Sequence, residues 1–264
     1  TATLGSGFVR YEHELEDAPT TLYAGIGQSA RFPDYWEMIA KESMTTVSAF
    51  DIEPETTRQL DFGALYAAEK IDVSLSLFFG ETEDFILADY SNMMKMNGAV
   101  RNVDARTWGG ELGAGFALTE RWKAETSVAL VRGENRTDDT ALAQMPPLEG
   151  RLGLRYVRDT WSLGGLMRAV DRQDRYDLGM GTIVGRDLGE SAGFTVFSLN
   201  GNWKPTDSTL LSLGIDNLFD RTYAEFVSRA GGNGMGGAIP GYVQTERVNE
   251  PGRTAWVKVE VDFE

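Results

Sequence analysis

The spacing between strand-like segments constrains this chain more than any other feature of its sequence. Eleven such segments can be read in its 264 residues, at about 5–15, 20–32, 56–68, 71–88, 104–118, 121–133, 148–157, 161–172, 193–204, 208–222 and 253–263. The connections between them alternate strictly between short and long. Residues 16–19, 69–70, 119–120, 158–160 and 205–207 are short and turn-like. Roughly 33–55, 89–103, 134–147, 173–192 and 223–252 are long. Loops above about 12–15 residues are uncommon in compact domains. In an up-and-down antiparallel sheet, all five long connections fall at the same end. A soluble sandwich gives no reason for that segregation, whereas a transmembrane barrel carries short turns at one rim and long loops at the other.

The residues within the segments fit either architecture. Ile71, Val73, Leu75, Leu77 and Phe79 alternate with Asp72, Ser74, Ser76 and Phe78. Trp122, Ala124, Thr126, Val128 and Leu130 oppose Lys123, Glu125, Ser127 and Ala129, and Leu152, Leu154 and Tyr156 oppose Arg151, Gly153 and Arg155. Leu211, Leu213 and Ile215, then Ala255, Val257, Val259, Val261 and Phe263, repeat the period of two near the chain end. No stretch approaches 18 consecutive apolar residues, so no transmembrane helix is expected. Barrel strands need only about 9–11 alternating residues and escape that test.

Composition removes several classes of function. A formal net charge of −15 argues against a general nucleic-acid binder, which needs clustered Lys and Arg. With no cysteine there is neither disulfide nor thiolate chemistry. Thirty glycines and an aromatic share of 11% suit strands, tight turns and interfacial girdles. Thr1-Ala2-Thr3-Leu4-Gly5 lacks the basic and apolar segments of a signal peptide, so either a signal has been removed or the chain begins in mid-protein; the second is the expectation.

The stretch 215–226, Ile-Asp-Asn-Leu-Phe-Asp-Arg-Thr-Tyr-Ala-Glu-Phe, followed by Glu250-Pro251-Gly252-Arg253 and a last strand ending in Phe263, resembles the closing strands of TonB-dependent outer-membrane receptors. Earlier segments resemble the family in the same order: Arg31-Phe32-Pro33-Asp34-Tyr35-Trp36-Glu37, Pro54-Glu55-Thr56-Thr57, Asn102-Val103-Asp104-Ala105-Arg106 and Gly109-Gly110-Glu111-Leu112. The resemblance implies an all-β antiparallel transmembrane β-barrel. It also implies that residues 1–264 are the C-terminal part of a 22-stranded barrel, with the plug domain and TonB-contacting peptide outside this sequence. An odd strand number reinforces that expectation, since single-chain bacterial barrels close with an even number. Alone, eleven strands leave two unpaired edges in lipid, which is very costly. The remaining barrel strands are therefore expected as partners, with TonB acting through the plug. Residues 31–37, the Glu83–Tyr90 segment and residues 100–114 look most like the copper receptors of Gram-negative bacteria. The principal copper ligands implied by that likeness belong to the plug and the earlier barrel half, and none can be carried over to residues here.

Three methionines, Met93, Met94 and Met96, sit together in an expected outer loop. Soft thioethers suit Cu(I), and closely spaced methionines can converge on one ion; the alternative is that they are flexible apolar filler between loops. Met145, Met180 and Met235 fall in other expected outer loops. The single histidine, His13, is read as a strand residue facing the lumen or periplasm, with metal ligation as the alternative. The glycine-rich run at 231–237 reads as outer loop, since it does not follow a strand and open a helix. Arg31, Tyr35 and Trp36 read as rim packing, and Trp122, Trp161 and Trp203 as a periplasmic aromatic girdle. Asp138, Asp139, Asp187 and Glu190 could concentrate cations, bridge lipopolysaccharide through divalent ions, or keep loops solvated. No catalytic constellation emerges, so the chain is not expected to be an enzyme. The resulting expectation is ligand-gated, TonB-energised import of a metal or metal chelate, copper first, across the Gram-negative outer membrane. The alternatives are a passive channel or structural barrel, or a siderophore as ligand.

Overall fold

The computed structural model describes residues 3–39, 51–91, 99–231 and 245–263. The strands are β1 (Gly7–Glu14), β2 (Thr20–Arg31), β3 (Glu55–Ala67), β4 (Ile71–Asp89), β5 (Ala99–Ala117), β6 (Trp122–Asn135), β7 (Thr140–Ala141), β8 (Glu149–Val157), β9 (Trp161–Val170), β10 (Met180–Gly181), β11 (Phe194–Thr206), β12 (Thr209–Asp216) and β13 (Thr254–Val261). One short helix, α1 (Tyr35–Ile39), follows β2. Eleven strands pair in the order β1-β2-β3-β4-β5-β6-β8-β9-β11-β12-β13, while β7 attaches to β6 and β10 to β4. Every ladder is antiparallel, and each short connection joins two neighbours in the sheet. Among the described residues β1 and β13 do not pair with each other.

Register turns the alternating sequence into two chemically distinct faces. Leu22, Ala64, Leu75, Leu112 and Val128 stand in one row across five strands, and Ile26, Leu60, Phe79 and Trp108 in another. The opposite face carries Tyr23, Gly63, Ser76, Glu111, Ala129 and Glu149 in one row, and Ser127, Arg151 and Arg168 in the next. The apolar face is the exposed one: Leu77 is 47% exposed, Leu163 54% and Val257 71%. A soluble sheet buries such a face, and exposing this much contiguous apolar surface is unfavourable unless lipid or another chain covers it. At the short-turn end the same face carries Trp122, Tyr156, Trp161 and Trp203. The Trp122 and Tyr156 rings lie 5.0 Å apart and those of Tyr156 and Trp161 5.5 Å, as an interfacial girdle requires.

At the other end, the sheet continues past the apolar band and is covered on both faces. A β-bulge between Thr82 and Phe85, with Asp84 at φ 60°, marks the change on β4. Beyond it, Ile86, Ala88 and Val100 form a buried cluster with Ile52 and Tyr90 packed against it. Leu142 and Met145 of the β7–β8 segment lie against Gly133 on the polar face of β6.

The eleven long segments read from the sequence correspond to the eleven strands of the main sheet. Several details differ. The segment read as a strand over 208–222 ends at Asp216, because Asn217 (φ 48°) and Asp220 (φ 54°) turn left-handed. Asn217 closes that turn by accepting from the Arg221 N–H at 2.8 Å and donating to the Arg221 and Pro251 carbonyls. Helix α1 and the two-residue strands β7 and β10 are too short to leave a periodic signature. His13, expected to face the lumen or periplasm, is registered with Leu22 and shares its face with Val9 and Tyr11; it lies at the short-turn end of β1 on the apolar face, stacked on Tyr11, which excludes the lumen.

Candidate functional site

The chemistry available to this chain gathers at the end where the long connections fold over the polar face. The connection from β9 to β11, residues 171–193, organises it. Its β10 pairs with Ala88 and Asp89 of β4, although β5, β6 and β8 separate β4 from β9 in the sheet. One edge of β4 at that height is already taken by β5, through Ala88–Val100 and Asp89–Ala99. The other edge is free because the β3–β4 ladder stops at Thr56–Glu83. Thus β10 occupies the edge that β3 leaves, and the connection must cross past the ends of β5, β6 and β8 to reach it.

Several buried polar groups fasten this crossing. Asp187 is 1% exposed and accepts from the Gln144 N–H, the Gln144 Nε2 and the Asp177 N–H, each at 2.9 Å. Three donors satisfy a buried carboxylate that would otherwise be costly to desolvate. The sequence-based reading of Asp187 as a solvated loop acid is therefore corrected: it is an internal anchor. Gln173 donates from Nε2 to the Met145 carbonyl at 2.8 Å. Tyr90 donates from its hydroxyl to the Thr182 carbonyl at 2.9 Å, and its own N–H reaches Gly179. Burial pushes the Tyr90 phenol above its ordinary pKa, with Arg186 opposing, so it remains a donor at neutral pH.

A second contact set seats residues 217–231 and 245–253. Arg168 on the polar face of β9 binds Glu149 of β8 at 2.6 Å and Glu225 at 2.5 Å, while its Nε is buried without an acceptor among the described residues. Tyr223 packs on Phe194 with ring centroids 4.2 Å apart, over the buried Val170 and Val196. Burial, aided by Glu250 and Glu225, raises the Tyr223 pKa. Arg247, 7% exposed, spends its guanidinium on three carbonyls, those of Phe226, Gly189 and Glu190. It thereby ties the last long connection to the first-described crossing.

Beside these loop contacts lies a concavity of about 640 Å³ in the polar face, lined by Ser74, Phe78, Glu111, Ser127, Glu149 and Arg151 together with Pro146 and Pro147. Its lining mixes the hydroxyls of Ser74 and Ser127, two carboxylates and the Arg151 guanidinium with a larger apolar share that includes Phe78, Val131 and the two prolines. Among the described residues, no three His, Cys, Asp or Glu side chains cluster so as to hold a metal.

Met93, Met94 and Met96 lie outside the described residues, as does Met235. Met145 and Met180 are both half-buried within the platform. The Met180 carbonyl accepts from Asp187, which binds the residue before Met145. Asp138 is held by Arg101 and Asn135, and its carboxyl lies below the usual range because Arg101 bonds it first of all. Arg31 grips Glu37 and Glu55 at the rim, while Tyr35 and Trp36 remain exposed beside it. Sequence reading missed the crossing and its anchors, because no local pattern reveals which distant strand edge a two-residue strand will join.

An exposed apolar band, a girdle at the short-turn rim and a loop platform over a polar face together define the wall of a transmembrane β-barrel. A profile described as the TonB dependent receptor-like β-barrel matches residues 1–218, and the chain belongs to that family. Among solved structures it is similar to one titled copper transporter OprC, at 48% identity and a TM-score of 0.90, covering 99% of this chain and 40% of that one. It also resembles the FrpB iron transporter from Neisseria meningitidis (18% identity, TM-score 0.70, 97% of this chain and 39% of that one). A third likeness is to a mutant ferric enterobactin receptor from Pseudomonas aeruginosa in complex with enterobactin (20% identity, TM-score 0.72, 98% and 40%). At such identities the last two speak to fold alone. The chain spans about 40% of the length of these structures. No curated protein sequence matches it.

Proposed function

We propose that this chain is the C-terminal part of the barrel of a TonB-dependent outer-membrane transporter that imports copper. The observation that carries the reading is the 48% identity to a copper transporter over 99% of the chain. The apolar face meets outer-membrane lipid, with lipopolysaccharide around the outer rim, and the free edges of β1 and β13 pair with the remaining barrel strands of the parent protein. A plug elsewhere in that parent receives work from TonB, and the platform and polar face form the wall past which the ion moves. Copper is cargo in this scheme. Met93, Met94 and Met96, between Ser91 and Ala99 at the platform end, are its proposed soft contacts, since thioethers bind Cu(I) without needing deprotonation.

The test is copper accumulation by Gram-negative cells expressing the full-length receptor as their only high-affinity route, with and without functional TonB. Energised import predicts accumulation that collapses without TonB; equal accumulation in both strains identifies a passive channel. Preferential uptake of a ferric siderophore would replace copper as cargo. Replacing Met93, Met94 and Met96 together by Leu keeps volume but removes the ligating sulfurs, and is expected to lower uptake at limiting copper. Unchanged uptake would return them to loop packing.

A further inference from the structure

We infer that residues 171–193 form a fixed crossbar over the barrel mouth that limits the size of what can enter, admitting a bare or lightly chelated metal ion and obstructing a bulky chelate. The inference rests on the transport reading for its consequence, but its geometry stands independently.

Two observations make the segment a bar across the opening. It starts on β9 and ends on β11, yet its middle is hydrogen-bonded to the far edge of β4, with three strands between β4 and β9 in the sheet order. Its route also lies on the polar side, since it is bound to Gln144 and Met145. That neighbouring segment rests on Gly133, a polar-face residue, and its Pro146 and Pro147 help to line the polar-face concavity.

Two further observations make it fixed. A segment that swings open breaks few buried polar contacts, because low-stability elements have few of them. Here both anchoring side chains, Asp187 and Gln173, are 1% exposed. Opening would strand the Asp187 carboxylate and the Gln144 and Asp177 donors away from their partners. The bar is also held from three separate connections: through Tyr90 after β4, through Thr140 and Gln144 after β6, and through Arg247 before β13. Motion of any single neighbour therefore leaves it attached to the others.

The base of the bar suggests how to remove it. Gln173 and Ser191 already exchange both backbone hydrogen bonds at 3.0 Å. Replacing 174–190 by an Asn-Gly turn thus closes a hairpin on existing geometry. The test uses the intact receptor in outer membranes with Ala129→Cys on the polar face below the platform, compared with the same receptor lacking that substitution. With the bar present, a small maleimide is expected to label the added cysteine at least tenfold faster than a polyethylene-glycol maleimide. With the bar excised, the bulky reagent should gain at least tenfold in rate while the small one changes little. Equal rates for both reagents with the bar present, or no gain for the bulky reagent on excision, would overturn the size limit.

Rigidity is tested separately, without deleting anything. Asp89→Cys with Met180→Cys should bridge on mild oxidation, because the two positions are registered. Copper accumulation should then agree within twofold between bridged and reduced forms. Failure to bridge, or a tenfold loss on oxidation that reductant restores, would show a mobile gate and overturn the fixed bar. If the unaltered receptor accumulates no copper, the transport reading fails, while labelling rates and bridge formation still judge the crossbar.

Discussion

Tyr23 lies across Gly63, its registered partner on the neighbouring strand, so closely that a methyl group on Gly63 would meet the ring at 2.2 Å and the Leu75 carbonyl oxygen at 2.3 Å. The arrangement recurs on the polar face. Phe78 covers Gly109, and Trp256 covers Gly214 while donating from Nε1 to Asp216 at 3.0 Å. In each pair the glycine supplies the space and the ring supplies the cover, so a side chain larger than a serine could otherwise not sit flat against the wall. Arg10 then stacks on Tyr23 at 3.9 Å from the ring centre.

From this follows the first expectation. Gly63→Ala must displace backbone as well as the ring, and overpacking of that kind costs about 1–3 kcal/mol. In the full-length receptor it should lower the midpoint of urea unfolding in detergent, and adding Tyr23→Ala should recover part of the loss. An unchanged midpoint for Gly63→Ala alone would mean that the wall relaxes freely at this point.

The rim offers a second. Arg31 meets Glu37 at 2.8 and 2.9 Å through both terminal nitrogens and Glu55 at 2.5 Å through Nε. Both carboxylates are buried, and they also accept N–H bonds from Asp34 and Ile86 at 2.6 Å. Removing the arginine leaves two buried acids facing each other, which typically costs about 3–5 kcal/mol, with the lower end apt here because Arg31 is itself partly exposed. Arg31→Met should therefore detach α1 from the sheet, seen as faster hydrogen exchange over 34–39. Glu37→Gln, which removes one of the two charges, should do so far less.

Leu112 and Glu111 test the assignment of faces from adjacent positions. Leu112 sits mid-band, registered with Leu75 and Val128, whereas Glu111 is registered with Ser76 and Ala129 on the other face. An arginine on a lipid face near the bilayer midplane costs about 2–4 kcal/mol. Leu112→Arg should thus impair folding into membranes, while Glu111→Arg should leave folding intact. Equal damage from both would contradict lipid contact on the apolar face.

How much of this was legible in the sequence depends on the range of the interactions involved. The main strands were, because Ile71 to Phe79 or Leu211 to Ile215 carry their period of two locally, and short turns fix which neighbour each strand meets. Resemblance supplied the family. The end of β12 was not legible: Leu218 and Phe219 continue the apolar content of a strand, and only the left-handed turns at Asn217 and Asp220 stop it. Asp187 looks like any loop acid in sequence, since its donors on Gln144 and Asp177 are brought to it by the fold of two separate connections. The same holds for Arg247, whose three carbonyl partners lie 21 to 58 residues away.

Acid titration supplies the last expectation. Asp138 lies in the β6–β8 connection and is bound by Arg101 on β5 and by Asn135 Nδ2 at 2.6 Å. The hydrogen bond from Arg101 holds its pKa below the ordinary 3.8. A carboxylate with a depressed folded-state pKa stabilises the folded form at every pH above its unfolded value, and that contribution fades as pH falls through the depressed one. The tie between this connection and β5 should therefore be intact at neutral pH and begin to weaken only below about 3.8. Hydrogen exchange over 136–140, measured from neutral pH downward and corrected for intrinsic rates, should show protection lost in that acidic window. Asp138→Asn retains the bond with Asn135 in part but cannot titrate, so its protection should be lower at neutral pH and flat across the window. A variant with the same acid-dependent loss would assign the titration to another group.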